Sequence, residues 1–166
     1  MNLHSVLGIS AMMVLGLGLL SGSAADQQKS LKEQIIGTWL FVSVYDQYED
    51  GKKAHTFGIN PKGQWIFGND GRFSEILVGE PQPDLKTKDP RRPDAFIVAW
   101  YGTYTVNEAD KTVTWRAEGG GYSPRFGSES KLLITTITGD TLNYVGPQRK
   151  DHIGTFTPHA ELKRAK

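Results

Sequence analysis

Any chemistry in this chain would have to start from Glu75. It stands in Arg72-Phe73-Ser74-Glu75-Ile76-Leu77, where strand alternation puts it on the same face as Phe73 and Leu77, an acid among apolar neighbours. Arg116 has a comparable setting in Val113-Thr114-Trp115-Arg116-Ala117. A carboxylate removed from water needs a cation or hydrogen-bond donors, so the two are expected to form an interior ion pair or to orient the polar end of a ligand. A register one residue off would instead turn both to solvent. Other chemistry is hard to find. There is no Gly-x-Ser-x-Gly elbow, Gly119-Gly120-Gly121 does not precede a helical pattern, and no histidine pair has metalloprotease spacing. His55, His152 and His159 fall in loops or at strand ends, where an imidazole is usually solvated or structural. A haem-binding barrel would need one of them inside, and strand parity makes His159 the candidate. The sequence therefore assigns no catalytic residue, no metal and no cofactor.

The elements that would position Glu75 read as a succession of strands. The first is Ile35 to Tyr45, with Trp39, Phe41, Ser43 and Tyr45 on one face and Leu40, Val42 and Val44 on the other. A helical turn over 29–36 leads into it, with Ser30 as N-cap, Glu33 three residues on, and Gly37 at its end. Lys53 to Phe57 is a short strand candidate. Gln64 to Gly68 and Arg72 to Gly79 form a hairpin across Asn69-Asp70-Gly71, the strongest turn signal in the chain. Residues 80–94 carry four prolines and the charges Asp84, Lys86, Lys88, Asp89, Arg91 and Arg92 and read as a long loop, of the kind that serves as a lid or binding loop near a cavity mouth. Phe96 to Val106 and Thr112 to Glu118 make a second hairpin, followed by a glycine-rich loop over 119–127. Ser130 to Thr138 pairs with Thr141 to Val145, and a last strand runs from Phe156 to Arg164, its start weakened by Pro158. A meander of this length removes its exposed edges most simply by closing on itself. The expected fold is all-β, an up-and-down antiparallel barrel of eight to ten strands with a short N-terminal helical turn.

The order of these landmarks resembles the bacterial lipocalin-like domain family. Gly37-Thr38-Trp39, Asp70-Gly71, Gly102-Thr103-Tyr104 and the glycine-rich loop ending at Gly127 follow the family's order and approximate spacing, over roughly 36–164. The chain departs from it at the end, where Leu162-Lys163-Arg164 stands in place of Trp-Glu-Arg. The resemblance implies a lipocalin-like barrel and an arginine of the last strand, here Arg164, stacked on Trp39 at the closed end.

Residues 1–25 contain no Lys, Arg, Asp or Glu and carry an apolar run from Val6 to Leu20, then Ser21-Gly22-Ser23-Ala24-Ala25. The run is shorter than the roughly 20 residues of a spanning helix, and Ser23 and Ala25 supply the small residues of a cleavage site. A signal peptide over 1–25 and a single domain over 26–166 follow, with a periplasmic or secreted product and no stable membrane anchor after cleavage. The chain has 19 basic and 18 acidic residues, a balance that offers no field to draw nucleic acid. It has no cysteine, so an apolar core alone must hold the domain.

A closed sheet sends one face of every strand inward, and the expected interior is Phe41, Tyr45, Trp65, Phe67, Phe73, Glu75, Trp100, Tyr104, Trp115 and Arg116. Such side chains nearly fill a narrow barrel, unless Ser43 and Gly102 make room. Three readings stand: a carrier of a small apolar ligand, an isomerase, cyclase or hydratase using Glu75 on a small apolar substrate, and a filled structural barrel. Export is the most directly testable expectation. Full-length chain expressed in an exporting bacterial host should appear with the intact mass of residues 26–166; periplasmic material that retains residues 1–25 would overturn it.

Overall fold

The computed structural model describes residues 29–82, 95–121 and 126–166. The expected signal segment and most of the proline-rich loop lie outside the described residues. Among the described residues one short helix, α1 (Leu31–Ile35), precedes ten strands: β1 (Gly37–Tyr48), β2 (Lys53–Ala54), β3 (Lys62–Phe67), β4 (Arg72–Pro81), β5 (Ala95–Asn107), β6 (Thr112–Gly120), β7 (Glu129–Ile137), β8 (Thr141–Val145), β9 (Arg149–Lys150) and β10 (Thr155–Arg164). All pairings are antiparallel, in the order β2-β1-β3-β4-β5-β6-β7-β8-β10-β9, and β10 also pairs with β1. The sheet therefore closes into an eight-strand barrel, with β2 and β9 as short flanking additions. The all-β barrel expected from the alternation is the fold observed.

Most strand limits lie within two residues of those expected; the short strand after β1 is shorter, Lys53–Ala54 only. Pro158 sits inside β10 rather than weakening its start. Its carbonyl accepts from Gly146 just past the end of β8, so its missing N–H falls where no strand is left to receive it. In the tight hairpin, Gly71 adopts φ +79° and the Asp70 carboxylate accepts from the Arg72 N–H at 3.0 Å, the local bond that makes Asp-Gly a turn former.

One irregularity decides what faces inward. The pairing of β1 with β10 skips a residue between Phe41 and Ser43, a β-bulge that leaves Val42 unpaired and half exposed. Before it, Trp39 and Phe41 point into the barrel. After it the parity reverses, and Val44, Asp46 and Tyr48 face inward opposite Ala160, Pro158 and Phe156. Ser43 and Tyr45 are turned outward. Tyr45 stacks there on His159 of β10, with ring centroids 4.9 Å apart and planes 5° apart, while the Lys53 ammonium lies 4.2 Å from the Tyr45 centroid. His159 is thus on the outer surface, and parity read without the bulge misplaces both residues.

The barrel end beneath α1 is packed solid. Ile35, Trp39, Phe67, Val113, Leu142 and Leu162 are almost wholly buried there. Ser30 and Glu33 form the expected capping box, and Glu108, from the β5–β6 turn, accepts from the Leu31 and Lys32 N–H groups at 2.7 and 3.0 Å. The orphan donors of a five-residue helix are thereby tied to the barrel. Arg164 lies over the Trp39 ring, 4.1 Å from its centroid, as the family resemblance implies. Its guanidinium also donates to the carbonyls of Gly139, Ile36 and Gln34 at 2.6, 3.0 and 2.7 Å. Gly37, at φ +126°, passes so close that a Cβ would stand 2.7 Å from the arginine Nη1.

Arg164→Ala should lower unfolding stability by about 2–3 kcal/mol, the scale of a partly desolvated cation–π contact plus charge-assisted hydrogen bonds. Arg164→Lys should recover only part of it, because an ammonium cannot reach three divergent carbonyls while covering the ring. Urea unfolding followed by tryptophan emission checks this; an unchanged midpoint in Arg164→Ala would show that the clamp does not hold the barrel end.

Candidate functional site

The other end of the barrel is not filled. A cavity of about 300 Å³ opens between the inward side chains of the second half of β1, the first half of β10, the segment after β2 and the segment after β8. That volume is at the low end of small-molecule sites. Of the residues expected to line an interior site, Trp65, Glu75, Trp100 and Trp115 do so. Phe41, Phe67, Phe73 and Tyr104 are buried in the core without lining the cavity. The Tyr104 hydroxyl donates to the Gly68 carbonyl at 2.6 Å and packs edge-on to Phe67, so it serves the tight hairpin at the closed end.

Two expectations need correction. Tyr45 is on the outer face because of the bulge. Arg116 is exposed and faces solvent between Thr103 and Glu129, since the inward positions of β6 are Val113, Trp115 and Ala117. Glu75 is buried while Arg116 is not, so the two form no interior ion pair. Room in the barrel also has a different origin from the one expected. Ser43 faces out, and the space beside Gly102 is taken by the Arg116 backbone, whose carbonyl a Cβ would strike, at a register shift between β5 and β6.

Glu75 is only 7% exposed and lies between two tryptophans, opposite Trp65 on β3 and Trp100 on β5. Burial alone pushes its carboxyl up to about 8, with no described cation drawing it back, so the group is protonated at neutral pH. Tyr144 of β8 also lines the cavity; burial, and then the nearby Glu75 carboxyl, hold its phenol well above the usual range. Its ring packs edge-on to Trp65 at 5.4 Å. Toward the mouth, burial raises the Asp46 carboxyl, while a 3.2 Å bond from the Thr56 hydroxyl and the charge of Arg149 oppose the rise. Two further lining residues, Trp65 and Ser130, have their indole Nε1 and hydroxyl buried without a hydrogen-bond partner. Among the described residues no group of three or more His, Asp or Glu side chains is placed to hold a metal ion.

Tyr144, Ser130, Asp46, Phe57 and Arg149 are absent from the expected lining. Tyr144 was findable, since it alternates with Leu142 in a recognised strand. Asp46 becomes visible only through the bulge, Phe57 comes from the turn after β2, and Arg149 from the two-residue β9, too short for any periodicity to place.

No protein-family model matches the chain, and no curated protein matches it. Solved structures with a similar course include a bovine odorant-binding protein in complex with a selenium-containing odorant (13% identity, TM-score 0.44, 84% of this chain and 74% of that one). The bovine lipocalin allergen Bos d 2 is another (9% identity, TM-score 0.43, 81% and 75%). The eight-strand barrel itself is shown by this chain's own strand pairing.

Glu75 gives stability a definite pH dependence. Its folded-state value of about 8 lies above its ordinary 4.5, so between these limits the folded state holds a proton that the unfolded chain has released. Stability from this group is complete below pH 4.5 and is lost as pH rises toward 8, at up to about 1.4 kcal/mol per unit. Glu75→Gln should flatten that decline and leave the variant the more stable protein at pH 8. Urea midpoints of both proteins from pH 5 to 9 check this; parallel profiles would show Glu75 to be ionised and solvated.

Proposed function

We propose that the protein is an exported carrier that binds a small, largely apolar molecule in the open half of the barrel, with Glu75 at the ligand's polar group. The observation that carries this reading is the contrast within one barrel, solid beneath α1 and unfilled around a buried carboxyl at the other end. A protein selected only for stability would gain by filling that space with apolar side chains and replacing the acid, because cavities and buried polar groups both cost free energy. Export is supported by the uncharged apolar run and small-residue site in residues 1–25, and no helix among the described residues is long and apolar enough to cross a membrane. Membership of the bacterial lipocalin-like group is supported by the order of its turn and aromatic landmarks.

One feature favours catalysis as a second reading. A carboxyl near pH 8 beside a buried phenol is a general acid in its protonated form at physiological pH. In that case Glu75→Gln abolishes turnover and spares binding, whereas a pure carrier shows no turnover in either form.

Calorimetric titration with a neutral naphthalene derivative should show saturable 1:1 binding to the wild type. Val98→Trp, which places an indole in the cavity, should reduce affinity at least tenfold with the far-UV spectrum unchanged. Equal binding by the two proteins would locate the ligand outside the barrel and end this reading.

A further inference from the structure

The polar groups of the cavity are biased toward donation. The Trp65 indole N–H can only donate, and it is buried without an acceptor. The Ser130 hydroxyl of β7, across the barrel from β3, is also buried without a partner in a residue that lines the cavity. Glu75, held neutral by burial between Trp65 and Trp100, adds an O–H where an ionised acid would only accept. The titratable or charged groups lining the cavity among the described residues are Asp46 from β1, Glu75 from β4, Tyr144 from β8 and Arg149 from β9. Asp46 and Arg149 act on one another with opposite charge, and the Tyr144 phenol is neutral.

Ligand classes fare differently against these groups. A carboxylate ligand would bring an anion into surroundings that already suppress the charge on Glu75. An ammonium would require Glu75 to release its proton and would still leave the Trp65 N–H unmet. A neutral oxygen acceptor meets the unpaired donors and moves no charge out of water.

Building on the carrier reading, we propose that the cavity selects a neutral molecule bearing a carbonyl oxygen, a ketone, ester or quinone, which accepts from the Trp65 indole with Glu75, its partner on the adjacent strand, as the neighbouring donor. The apolar body lies against Trp100 and Trp115. At the packing density of protein interiors, about 0.74, the 300 Å³ cavity holds roughly 220 Å³ of ligand, or about a dozen heavy atoms. Because Glu75 donates only while protonated, affinity is level below pH 8 and declines above it.

Four naphthalenes of matched size test this by calorimetry: 2-acetylnaphthalene, 2-ethylnaphthalene, 2-naphthoate and 2-naphthylmethylammonium. At pH 7 the ketone should bind at least tenfold more tightly than the other three, with affinity constant from pH 6 to 7.5 and falling up to tenfold per unit above pH 8. Glu75→Gln, whose amide still donates, should keep the preference and lose the decline. Trp65→Phe should bring the ketone down toward the affinity of 2-ethylnaphthalene. Equal affinity for ketone and hydrocarbon in the wild type overturns this proposal and leaves the carrier reading intact. The ammonium binding most tightly, with affinity rising from pH 7 to 8, overturns it in favour of a cation site. Failure of all four to bind removes the carrier reading together with it.

Discussion

The pairing of β1 with β10 is the constraint on which the rest of the molecule depends. Barrel closure satisfies the edge groups of both strands and commits one face of each strand to the interior. Had the two strands paired in strict register, the aromatic face of Trp39 and Phe41 would have continued through Ser43 and Tyr45. The bulge at Val42 ends that face after two residues and substitutes Val44 and Asp46. A valine and an acid then occupy positions that a serine and a tyrosine would have held. The displaced tyrosine finds another use, covering His159 on the outside.

The two halves of the barrel are built on different principles. Beneath α1, polar needs are met locally: Trp39 donates to the Ile35 carbonyl at 2.7 Å, Arg164 serves three carbonyls, and Glu108 serves two helix N–H groups. That end can therefore be dry and close-packed, with its hydrogen bonds made around the rim of the core. In the other half, donors and acids are buried ahead of their partners. The Trp65 N–H and the Ser130 hydroxyl meet nothing, and Glu75 avoids the cost of an uncompensated charge by keeping its proton. Unmet polar groups beside unfilled volume are what distinguish this half from a core.

Glu75 also shows how strongly the surroundings determine the chemical character of a residue. An acid with an arginine beside it is an anion that accepts hydrogen bonds. The same acid walled by Trp65 and Trp100 is a neutral donor, and burial likewise keeps the neighbouring Tyr144 phenol protonated, so both groups are uncharged at neutral pH. The outward turn of Arg116 by one strand position accounts for the difference, and it leaves that guanidinium to the solvated surface opposite Glu129.

Strand order, most strand limits, the tight hairpin, the capped helical turn and the burial of Glu75 among aromatics were all legible in the sequence. Each rests on local physics: side-chain alternation, the turn chemistry of Asp70-Gly71, the reach of Ser30 and Glu33 toward adjacent N–H groups. The Arg164 clamp came from resemblance to a family rather than from the residues, because nothing local relates a penultimate-turn arginine to a tryptophan 125 positions earlier in the chain. Tertiary structure alone decided the inward set of β1, the exposure of Arg116, the outward turn of His159, and the entry of Phe57 and Arg149 into the cavity wall. The physical reason is that a bulge costs one residue and leaves no periodic trace, yet it inverts every side chain beyond it, while chain between strands is placed by closure of the barrel and not by any pattern of its own.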